Sequence, residues 1–299
     1  MTTKNETAFC DLHFHTHFSS DAYNDPETAL PVMRRSGVRI IAPTDHDAVE
    51  ANAVFGQAAA AYGIRVVTGV ELDTDHPDLG HLHIMGYGFD PADPGIVAYC
   101  DREQAAGQHF LDSVLRVMIA DGHLGSPEEF AAWGRTHRPR GRIGMKQAWK
   151  WMQKRRGFTE AAAQQYVKEA DARQVKDHMC PTPGEAIGVI RRAGGVAVLA
   201  HPANSHTPDR MEGVIDAVLG LGAIGIEAYT PSNRTEANIA CVAAIGRARG
   251  VLVTGGSDSH ATDEMVPTAW PSPAPVRCGA PRTCWRSWGM RVEPTTEER

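Results

Sequence analysis

The sequence has little that would suit a membrane-bound or secreted protein. In its 299 residues no apolar run approaches the roughly 20 residues that a membrane-spanning helix needs, and the mean hydropathy is −0.31. The first residues lack the apolar stretch of a secretory signal. The six cysteines are scattered and form no CxxC pair, which argues against a disulfide scaffold. We therefore expect a cytoplasmic protein that has no contact with a membrane.

An excess of positive charge is also absent. The chain has 30 Lys and Arg against 36 Asp and Glu, a net charge of −6. Proteins that coat nucleic acid usually have a basic surface, so this balance disfavours general nucleic-acid binding but leaves room for a local basic patch. The hydrophobic fraction of 42% and the length are ordinary for one large domain or a domain with an insert. The residue type that stands out is histidine, with 14 copies.

Seven short apolar runs predict β-strands, and helical patterns lie between several of them. Many of these runs are β-branched and almost continuously apolar, as in strands that are buried on both faces of a parallel sheet. Strands that alternate with helices favour a parallel α/β fold, either open or closed into a barrel. The runs are 9–15, 39–46, 64–72, 82–89, 196–202, 223–229 and 251–260.

Residues 100–180 interrupt this alternation, because they lack convincing strands and are rich in Ala, Gln, Glu, Lys and Arg. We interpret them as a helical insert, or lid, that divides the main domain into 9–99 and 181–262. The tail, residues 263–299, contains many prolines and no periodic pattern, so we expect irregular structure there.

A basic stripe marks the middle of the predicted insert. Residues 134–156 contain nine Lys or Arg and no acidic residue, and Arg142, Lys146, Lys150 and Lys154 recur every four residues. That spacing places the four on one side of a helix. Two interpretations stay open: a solvated helix face, or a surface that offers guanidinium and ammonium groups to a phosphate or an RNA backbone.

Most of the predicted strands end in a residue that can bind a metal ion. The carboxyl ends of parallel strands converge on one mouth, where α/β folds build their sites. A single histidine at a strand end is more often structural, but a series of them on successive strands predicts a metal centre. Imidazole with carboxylate suits Zn²⁺, Mn²⁺ or Fe²⁺. The residues are Asp11, His13, His15, Asp45, His46, Glu71, His83, His201, Asp258 and His260.

The ordered motifs DLHFHTHFSSDA, PTDHD, GVEL, HLHIMGYG, LAHP and GSDSH resemble those of the PHP (polymerase and histidinol phosphatase) family. The resemblance covers roughly residues 9–260. It implies a distorted seven-stranded (β/α)7 barrel that holds two to three divalent metal ions, Mn²⁺ first, with Zn²⁺ or Fe²⁺ as alternatives. Glu71 would bridge two of the ions. The implied ligands are His13, His15, Asp21, His46, Glu71, His83, His201, Asp258 and His260.

The insert narrows the resemblance to one branch of the family. Gly141-Arg142 and the run 183–202 resemble phosphoesterases that act on 3′,5′-bisphosphonucleotides, such as pAp, and on RNA 5′ ends. Relatives often carry a histidine two residues after that arginine, where this chain has Gly144. We predict that Arg142 and Lys146 contact the substrate. His206, in the loop after LAHP, is a further candidate beside a plain surface role.

The expected activity is that of a metal-dependent phosphoric ester hydrolase acting on a small phosphorylated substrate. A metal-activated hydroxide, held through His13, His15, Glu71 and Asp258, would attack phosphorus, so no Ser or Cys nucleophile is needed. Three alternatives stay open. They are a PHP phosphatase for histidinol phosphate or a sugar phosphate, a non-catalytic metal-loaded protein that binds nucleic acid, and a metal-dependent carbon–nitrogen hydrolase. No obligate protein partner is expected.

Overall fold

The computed structural model describes residues 9–173 and 179–262, in which eight β-strands and ten α-helices form an α/β fold. Every one of the seven predicted runs overlaps at least one strand. The predicted irregular tail, 263–299, lies outside the described residues. The strands are β1 (Phe9–Phe14), β2 (Val38–Pro43), β3 (Arg65–Val66), β4 (Gly69–His76), β5 (Gly80–Tyr87), β6 (Val196–Leu199), β7 (Gly225–Tyr229) and β8 (Leu252–Gly255).

Six of the ten described helices begin at a capping side chain. Asp25, Ser126 and Thr182, for example, each accept a hydrogen bond from a backbone N–H of the first helical turn, and a proline follows each of them. The helices are α1 (Pro26–Arg35), α2 (Ala51–Ala59), α3 (Pro94–Ala120), α4 (Pro127–His137), α5 (Met145–Arg156), α6 (Glu160–Ala172), α7 (Pro183–Arg192), α8 (Pro202–Ser205), α9 (Pro208–Gly220) and α10 (Glu236–Arg249). None of these described helices is both long and apolar enough to cross a membrane.

The strands form two sheets, so the prediction of a single seven-stranded barrel is not confirmed. One sheet is parallel with the order β1-β2-β3, and the other has the order β4-β5-β6-β7-β8. In the second sheet β5 is antiparallel to both of its neighbours, so it is mixed rather than parallel. The predicted run 64–72 divides at Val67-Thr68: its first part pairs with β2 and its second with β5.

The two sheets meet at the ends of β1 and β2. Single bridges join Phe14 to Ser259 and His46 to Glu71. The backbone N–H of His15 donates to the carbonyl of Ser259 (2.9 Å), and that of Glu71 donates to the carbonyl of Asp45 (3.1 Å). These contacts bring the chain segments that follow β1, β2 and β8 together with β4, which is where the predicted ligands lie.

Two glycines permit this close approach of the sheets. A Cβ atom on Gly69 would lie 2.5 Å from the carbonyl oxygen of Pro43, at the end of β2. A Cβ on Gly256 would lie 2.2 Å from the backbone nitrogen of His13 on β1. Any larger residue at either position would push the sheets apart at the site.

The second half of α3 and the helices α4–α6 form a hydrophobic cluster of their own, whereas the first turns of α3 pack into the main core between the strands and α7, α9 and α10. Trp151 and Phe130 are almost fully buried in the helical cluster and their rings pack edge to face, with centroids 6.0 Å apart. This helical segment, residues 94–172, covers most of the stretch in which the sequence predicts an insert. Its own packing allows it to present a rigid surface to the metal ligands.

Candidate metal centre and substrate cavity

The structure brings all nine predicted metal ligands together. Each of them belongs to at least one group of three or four side chains whose donor atoms lie within 4.8 Å of one another. The groups share members, as expected for neighbouring cations. They are His15, Asp21, His46 and His260; His13, His15 and Asp258; His13, Glu71 and His201; and His46, Asp73 and His83.

Glu71 lies at the centre of these groups and is fully buried. One carboxylate oxygen is 3.2 Å from the Nε2 atoms of both His13 and His15. The other is 3.0 Å from Nδ1 of His83 and 3.1 Å from Nε2 of His201. The carboxylate thus faces two different sets of imidazoles with its two oxygens, which is the arrangement that a bridging ligand requires.

Asp21 reaches the opposite side of the centre from the loop that follows β1. One of its oxygens lies 2.9 Å from Nε2 of His260, and the other accepts a hydrogen bond from the Ser19 hydroxyl (2.7 Å). The ring of His15 packs against those of both His46 and His260, with centroid distances of 4.5 and 4.3 Å. This group therefore combines three imidazoles with one carboxylate.

Opposite charges alternate through the centre and shift the pKa values of its groups. Burial by itself lowers the pKa of both His13 and His46, but neighbouring carboxylates raise both pKa values well above the ordinary one. For His13 these carboxylates are Glu227, Glu71 and Asp258. For His46 they are Asp73 and Glu71. Burial by itself raises the pKa of Glu71, whereas the surrounding imidazoles hold it well below its usual range.

The donor set fits divalent cations. Imidazole nitrogens and carboxylate oxygens in groups of three and four are the ligands of Mn²⁺, Fe²⁺ and Zn²⁺. Two ring nitrogens, Nε2 of His13 and Nε2 of His15, face each other at 3.3 Å, and Nδ1 of His15 is buried with no hydrogen-bond partner among the described residues. So many converging donor atoms in a buried place are expected where cations bind.

Asp73 belongs to the centre although the sequence analysis did not select it. It lies two residues after Glu71 on β4, directly across from His83 on β5. Its carboxylate is 2.7 Å from Nδ1 of His46. The signal was present in the motif, because carboxylates at alternate positions of one strand point to the same face.

Glu227 is a second residue that the sequence analysis missed. It is fully buried on β7, and both of its oxygens lie 3.1 Å from Nδ1 of His13. It also accepts a hydrogen bond from the backbone N–H of His201 (3.1 Å). A carboxylate inside an otherwise apolar strand, GIEAY, was the available signal.

The strand-end pattern also included Asp11 and Asp45. Both carboxylates accept hydrogen bonds from backbone N–H groups, and neither belongs to one of the groups of potential metal ligands. Asp11 accepts hydrogen bonds from the backbone N–H and the hydroxyl of Ser257, both at 2.8 Å. Asp45 accepts from the backbone N–H groups of Thr16 and Ser19, at 2.5 and 3.1 Å. Burial raises the pKa of both carboxyls, although the hydrogen bonds that they accept lower it in part.

A cavity of about 650 Å³ opens between the metal ligands and the helical segment. Its size is typical of sites for small organic ligands. Three kinds of surface meet in it. The lining includes the potential ligands Asp21, His46, Asp73 and His83, the cations Arg135, Arg142 and Lys146, and the apolar side chains Leu111, Leu115, Phe130, Ile143, Met145 and Trp149.

Two of the three predicted substrate contacts line this cavity. Arg142 is partly buried there, and its guanidinium makes no hydrogen bond or ion pair with a described residue. Burial lowers the pKa of Arg142, although nearby carboxylates counter that effect. Lys146 lines the same cavity. The structure does not bring His206 to this cavity: it lies partly buried in the loop after α8, and its contact with substrate stays a prediction.

The predicted helical stripe is wrong for Arg142, which lies in irregular chain before α5. Lys146, Lys150 and Lys154 lie on α5, and the first two face the loop that carries Asp21. Lys146 donates to the backbone carbonyl of Asp21 (3.2 Å), and Lys150 donates to the hydroxyl of Tyr23. Lys154, one turn further on, is exposed. The interpretation of the basic stripe as a solvated helix face therefore applies only to Lys154.

Comparison with known proteins agrees with this site. Residues 11–124 match the model of the PHP domain. The chain contains a PHP domain. It is 25% identical over 276 residues to a phosphoribosyl 1,2-cyclic phosphate 1,2-diphosphodiesterase from Eggerthella lenta, which covers 86% of this chain and 96% of the relative. It is 27% identical to a 3′,5′-nucleoside bisphosphate phosphatase from Chromobacterium violaceum, covering 85% and 88%. It is 28% identical to a 5′-3′ exoribonuclease from Haemophilus influenzae, covering 64% and 68%.

Solved structures share the fold of this PHP-domain protein. A candidate metal-dependent phosphoesterase from Bifidobacterium adolescentis superposes with a TM-score of 0.72 at 21% identity, covering 96% of this chain and 97% of the other. An amidohydrolase from Chromobacterium violaceum, with bound sulfate and no metal, gives 0.64 at 23%, covering 98% and 100%. These structures support the fold, whereas the domain match and the curated relatives confirm the predicted family and the broad class of metal-dependent phosphoesterase.

Proposed function

We propose that this PHP-domain protein is a metal-dependent phosphatase of nucleoside 3′,5′-bisphosphates such as pAp, with short RNA 5′ ends as related substrates. One observation carries the proposal. A single cavity combines the metal ligands with two cationic side chains, Arg142 and Lys146, and with an apolar wall. Such a cavity suits a ligand that has more than one phosphate and a flat apolar group.

The cationic wall suits a phosphate held away from the metal ligands. Arg142 has no partner among the described residues, so its five N–H donors are available to an anion. A guanidinium binds phosphate through two parallel hydrogen bonds, and Lys146 adds a second positive charge nearby. A bisphosphate could therefore place one phosphate at the cations and the other at the metal ligands.

The apolar wall suits a nucleobase. Trp149 is partly exposed at the cavity, and the buried side chains Phe130, Leu111 and Leu115 line it from α3 and α4. Flat aromatic and aliphatic surfaces bind the faces of bases by stacking and by exclusion of water. Histidinol phosphate or a small sugar phosphate would leave this wall uncovered, which favours the nucleotide over those alternatives.

The reaction requires little from the chain beyond binding and orientation. Divalent cations, when bound, activate water and neutralise the charge that develops on the phosphate oxygens. His13, His15, Glu71 and Asp258 would hold the cation nearest to the buried end. Glu227 fixes the ring of His13 by a hydrogen bond to Nδ1, which leaves Nε2 directed at the centre.

The names of the relatives support the same class of substrate. The phosphatase from Chromobacterium violaceum is named for nucleoside 3′,5′-bisphosphates, and the enzyme from Haemophilus influenzae is named for RNA. Both classes present a phosphate next to a ribose and a base. The Eggerthella lenta enzyme, which is named for a phosphorylated sugar, makes ribose phosphates the natural comparison in a substrate panel.

The test is release of phosphate by the purified protein loaded with Mn²⁺. We expect release from pAp that EDTA abolishes, and slower release from ribose 5-phosphate and histidinol phosphate. Replacement Arg142→Gln should lower kcat/KM for pAp by about 10- to 150-fold, since a charged hydrogen bond contributes about 1.5–3 kcal/mol. Arg140→Gln is the matched control, because Arg140 is exposed and pairs with exposed Glu27.

The other outcomes separate the alternatives. Faster turnover of histidinol phosphate or ribose 5-phosphate than of pAp would overturn the nucleotide proposal within the phosphatase class. Tight binding of short RNA with bound Mn²⁺ and no hydrolysis of any ester would favour a non-catalytic protein instead.

A further inference from the structure

The loop that carries Asp21 is held on one side by the strands. This loop, residues 16–21, follows β1 and reverses the chain direction. Asp45, at the end of β2, accepts hydrogen bonds from the N–H groups of Thr16 and Ser19 and from the Thr16 hydroxyl (2.7 Å). The strands thus fix the beginning of the loop, whereas Asp21 lies at its far end.

The far end of the loop is held by Arg138, which follows α4. Its guanidinium donates to the backbone carbonyls of Ser20 (2.7 Å), Ser19 (2.9 Å) and, more weakly, His17 (3.4 Å). Arg138 is 1% exposed, and burial lowers its pKa. A buried guanidinium is costly unless its donors are satisfied, and Nε of Arg138 has no partner among the described residues, so this arrangement depends on the three carbonyls that its other two nitrogens reach.

Tyr23 extends the contact from the loop to α5. Its ring is covered by two cations, with the guanidinium carbon of Arg138 4.7 Å and the Lys150 ammonium 4.5 Å from the centroid. The backbone N–H of Tyr23 donates to the carbonyl of His260 (2.8 Å). One residue therefore links the helical segment to the chain that carries another member of the Asp21 group.

Two glycines bring the helical segment into backbone contact with the loop. Gly141 has φ +85°, and a Cβ there would lie 2.1 Å from the carbonyl oxygen of His17. A Cβ on Gly144 would lie 2.6 Å from the Cβ and hydroxyl of Ser20. Arg138 can reach the loop carbonyls because the chain that follows it packs this closely.

We infer that Arg138 is a positioning residue for the metal centre. It holds residues 17–20 so that the Asp21 carboxylate reaches His260, and cation binding by His15, Asp21, His46 and His260 depends on it. The helical segment would then be part of the metal site as well as a wall of the cavity. This inference rests on the proposed function only for its catalytic consequence, since the binding of cations can be measured without a substrate.

The decisive measurement is the number and affinity of Mn²⁺ ions bound per chain, by elemental analysis and calorimetry on the full-length protein. Arg138→Gln should weaken the most weakly held Mn²⁺ by at least about tenfold while the remaining ions stay bound. Asp21→Asn should weaken the same ion, and the double variant should show no further loss, because both changes act on one site. Arg140→Gln serves as the control and should bind Mn²⁺ as the unchanged protein does.

A folded Arg138→Gln protein that binds Mn²⁺ with unchanged number and affinity would overturn the inference. Additive losses in the double variant would also overturn it, because they would place Arg138 at a different site. If Arg138→Gln does not fold, the Mn²⁺ affinity of Arg138→Lys provides the test. Lysine keeps the positive charge but lacks the forked donors of a guanidinium, so we expect a Mn²⁺ affinity between those of the unchanged protein and Asp21→Asn. An unchanged Mn²⁺ affinity would contradict the inference.

These results do not depend on the identity of the substrate. If pAp is not hydrolysed but Arg138→Gln still loses one Mn²⁺, the proposed function fails and the positioning role stands. If pAp is hydrolysed equally well by both proteins with the same Mn²⁺ content, the positioning role fails and the function stands.

Discussion

Glu227 and His13 form a fully buried pair, with both carboxylate oxygens 3.1 Å from Nδ1 of the imidazole. The contact joins β7 to β1 and directs the other ring nitrogen at Glu71. A carboxylate in this place selects one tautomer of the histidine, holds its ring and increases its basicity as a ligand. Glu227 therefore positions a potential metal ligand, although it does not itself belong to any of the groups of donor atoms.

Replacement Glu227→Gln tests this pair. The amide can donate where the carboxylate accepts, so it should favour the wrong tautomer of His13 and lower Mn²⁺ affinity by about 10- to 100-fold. Calorimetric titration of Mn²⁺ measures the change. Glu236→Gln, at an exposed position in the first turn of α10, is the control. An unchanged affinity for Glu227→Gln would show that the contact does not orient His13.

Removal of the metal should make stability fall with rising pH. Burial, followed by the charge on His46, lowers the pKa of His15, but Asp258 and Glu71 raise it to about 9 overall. Because the folded value exceeds the ordinary value of about 6.5, the stabilisation is complete below pH 6.5 and is lost as the pH rises towards 9. The pKa shifts of His13 and His46 have the same sign.

Thermal unfolding between pH 6 and 9 measures this effect with and without Mn²⁺. With EDTA the midpoint should fall across the range. With Mn²⁺ the stabilisation should instead grow with pH, since bound cations replace the protons on these imidazoles. A midpoint that is flat in EDTA would contradict the assignment of protonated histidines to the metal-free site.

Replacement Gly144→His examines the position at which this chain departs from the relatives that it resembles. With Ser20 where it is, no side chain fits at residue 144. We expect a loss of about 1–3 kcal/mol in the free energy of unfolding, from overpacking, and weaker binding of Mn²⁺. Urea unfolding measures the loss, and Ser20→Gly in the same chain should recover part of it.

A matched glycine serves as the control for that experiment. Gly213 lies inside α9, and a Cβ there would meet nothing within 4 Å. Gly213→Ala should therefore leave stability unchanged or raise it by up to about 1 kcal/mol. If Gly144→His were as harmless as Gly213→Ala, the loop at Ser20 would be far easier to displace than its contacts indicate.

Replacement Trp149→Ala tests the apolar wall. It should lower kcat/KM for pAp by about 5- to 150-fold, since stacking contributes about 1–3 kcal/mol per base, and Trp149→Phe should retain most of the activity. The same variant should hardly affect ribose 3,5-bisphosphate, which has no base. Equal losses on the two substrates would place the base elsewhere.

Much of this protein could be predicted from local sequence. All eight strands overlap the seven apolar runs, because β-branched and apolar residues between turn signals favour a strand that packs in the core. The nine ligands converge because strand ends of one fold meet at one edge. His13 and His15 share a face for the simpler reason that residues two apart in a strand always do.

Other features were decided only by tertiary structure. The run 64–72 gave no sign that it would divide between two sheets, because that depends on which strands lie beside it. His206 has the chemistry of a substrate contact, but the loop after α8 does not bring it to the cavity.

The pairs that complete the site are separated by long stretches of chain. Glu227 lies 214 residues from His13, and Arg138 lies 118 residues from Ser20. A strand motif reports the chemistry of the residues within it, whereas a hydrogen bond between distant residues exists only once the core has packed. The sequence alone therefore determined which side chains could bind metal and phosphate, and the tertiary structure decided which buried partners hold them in position.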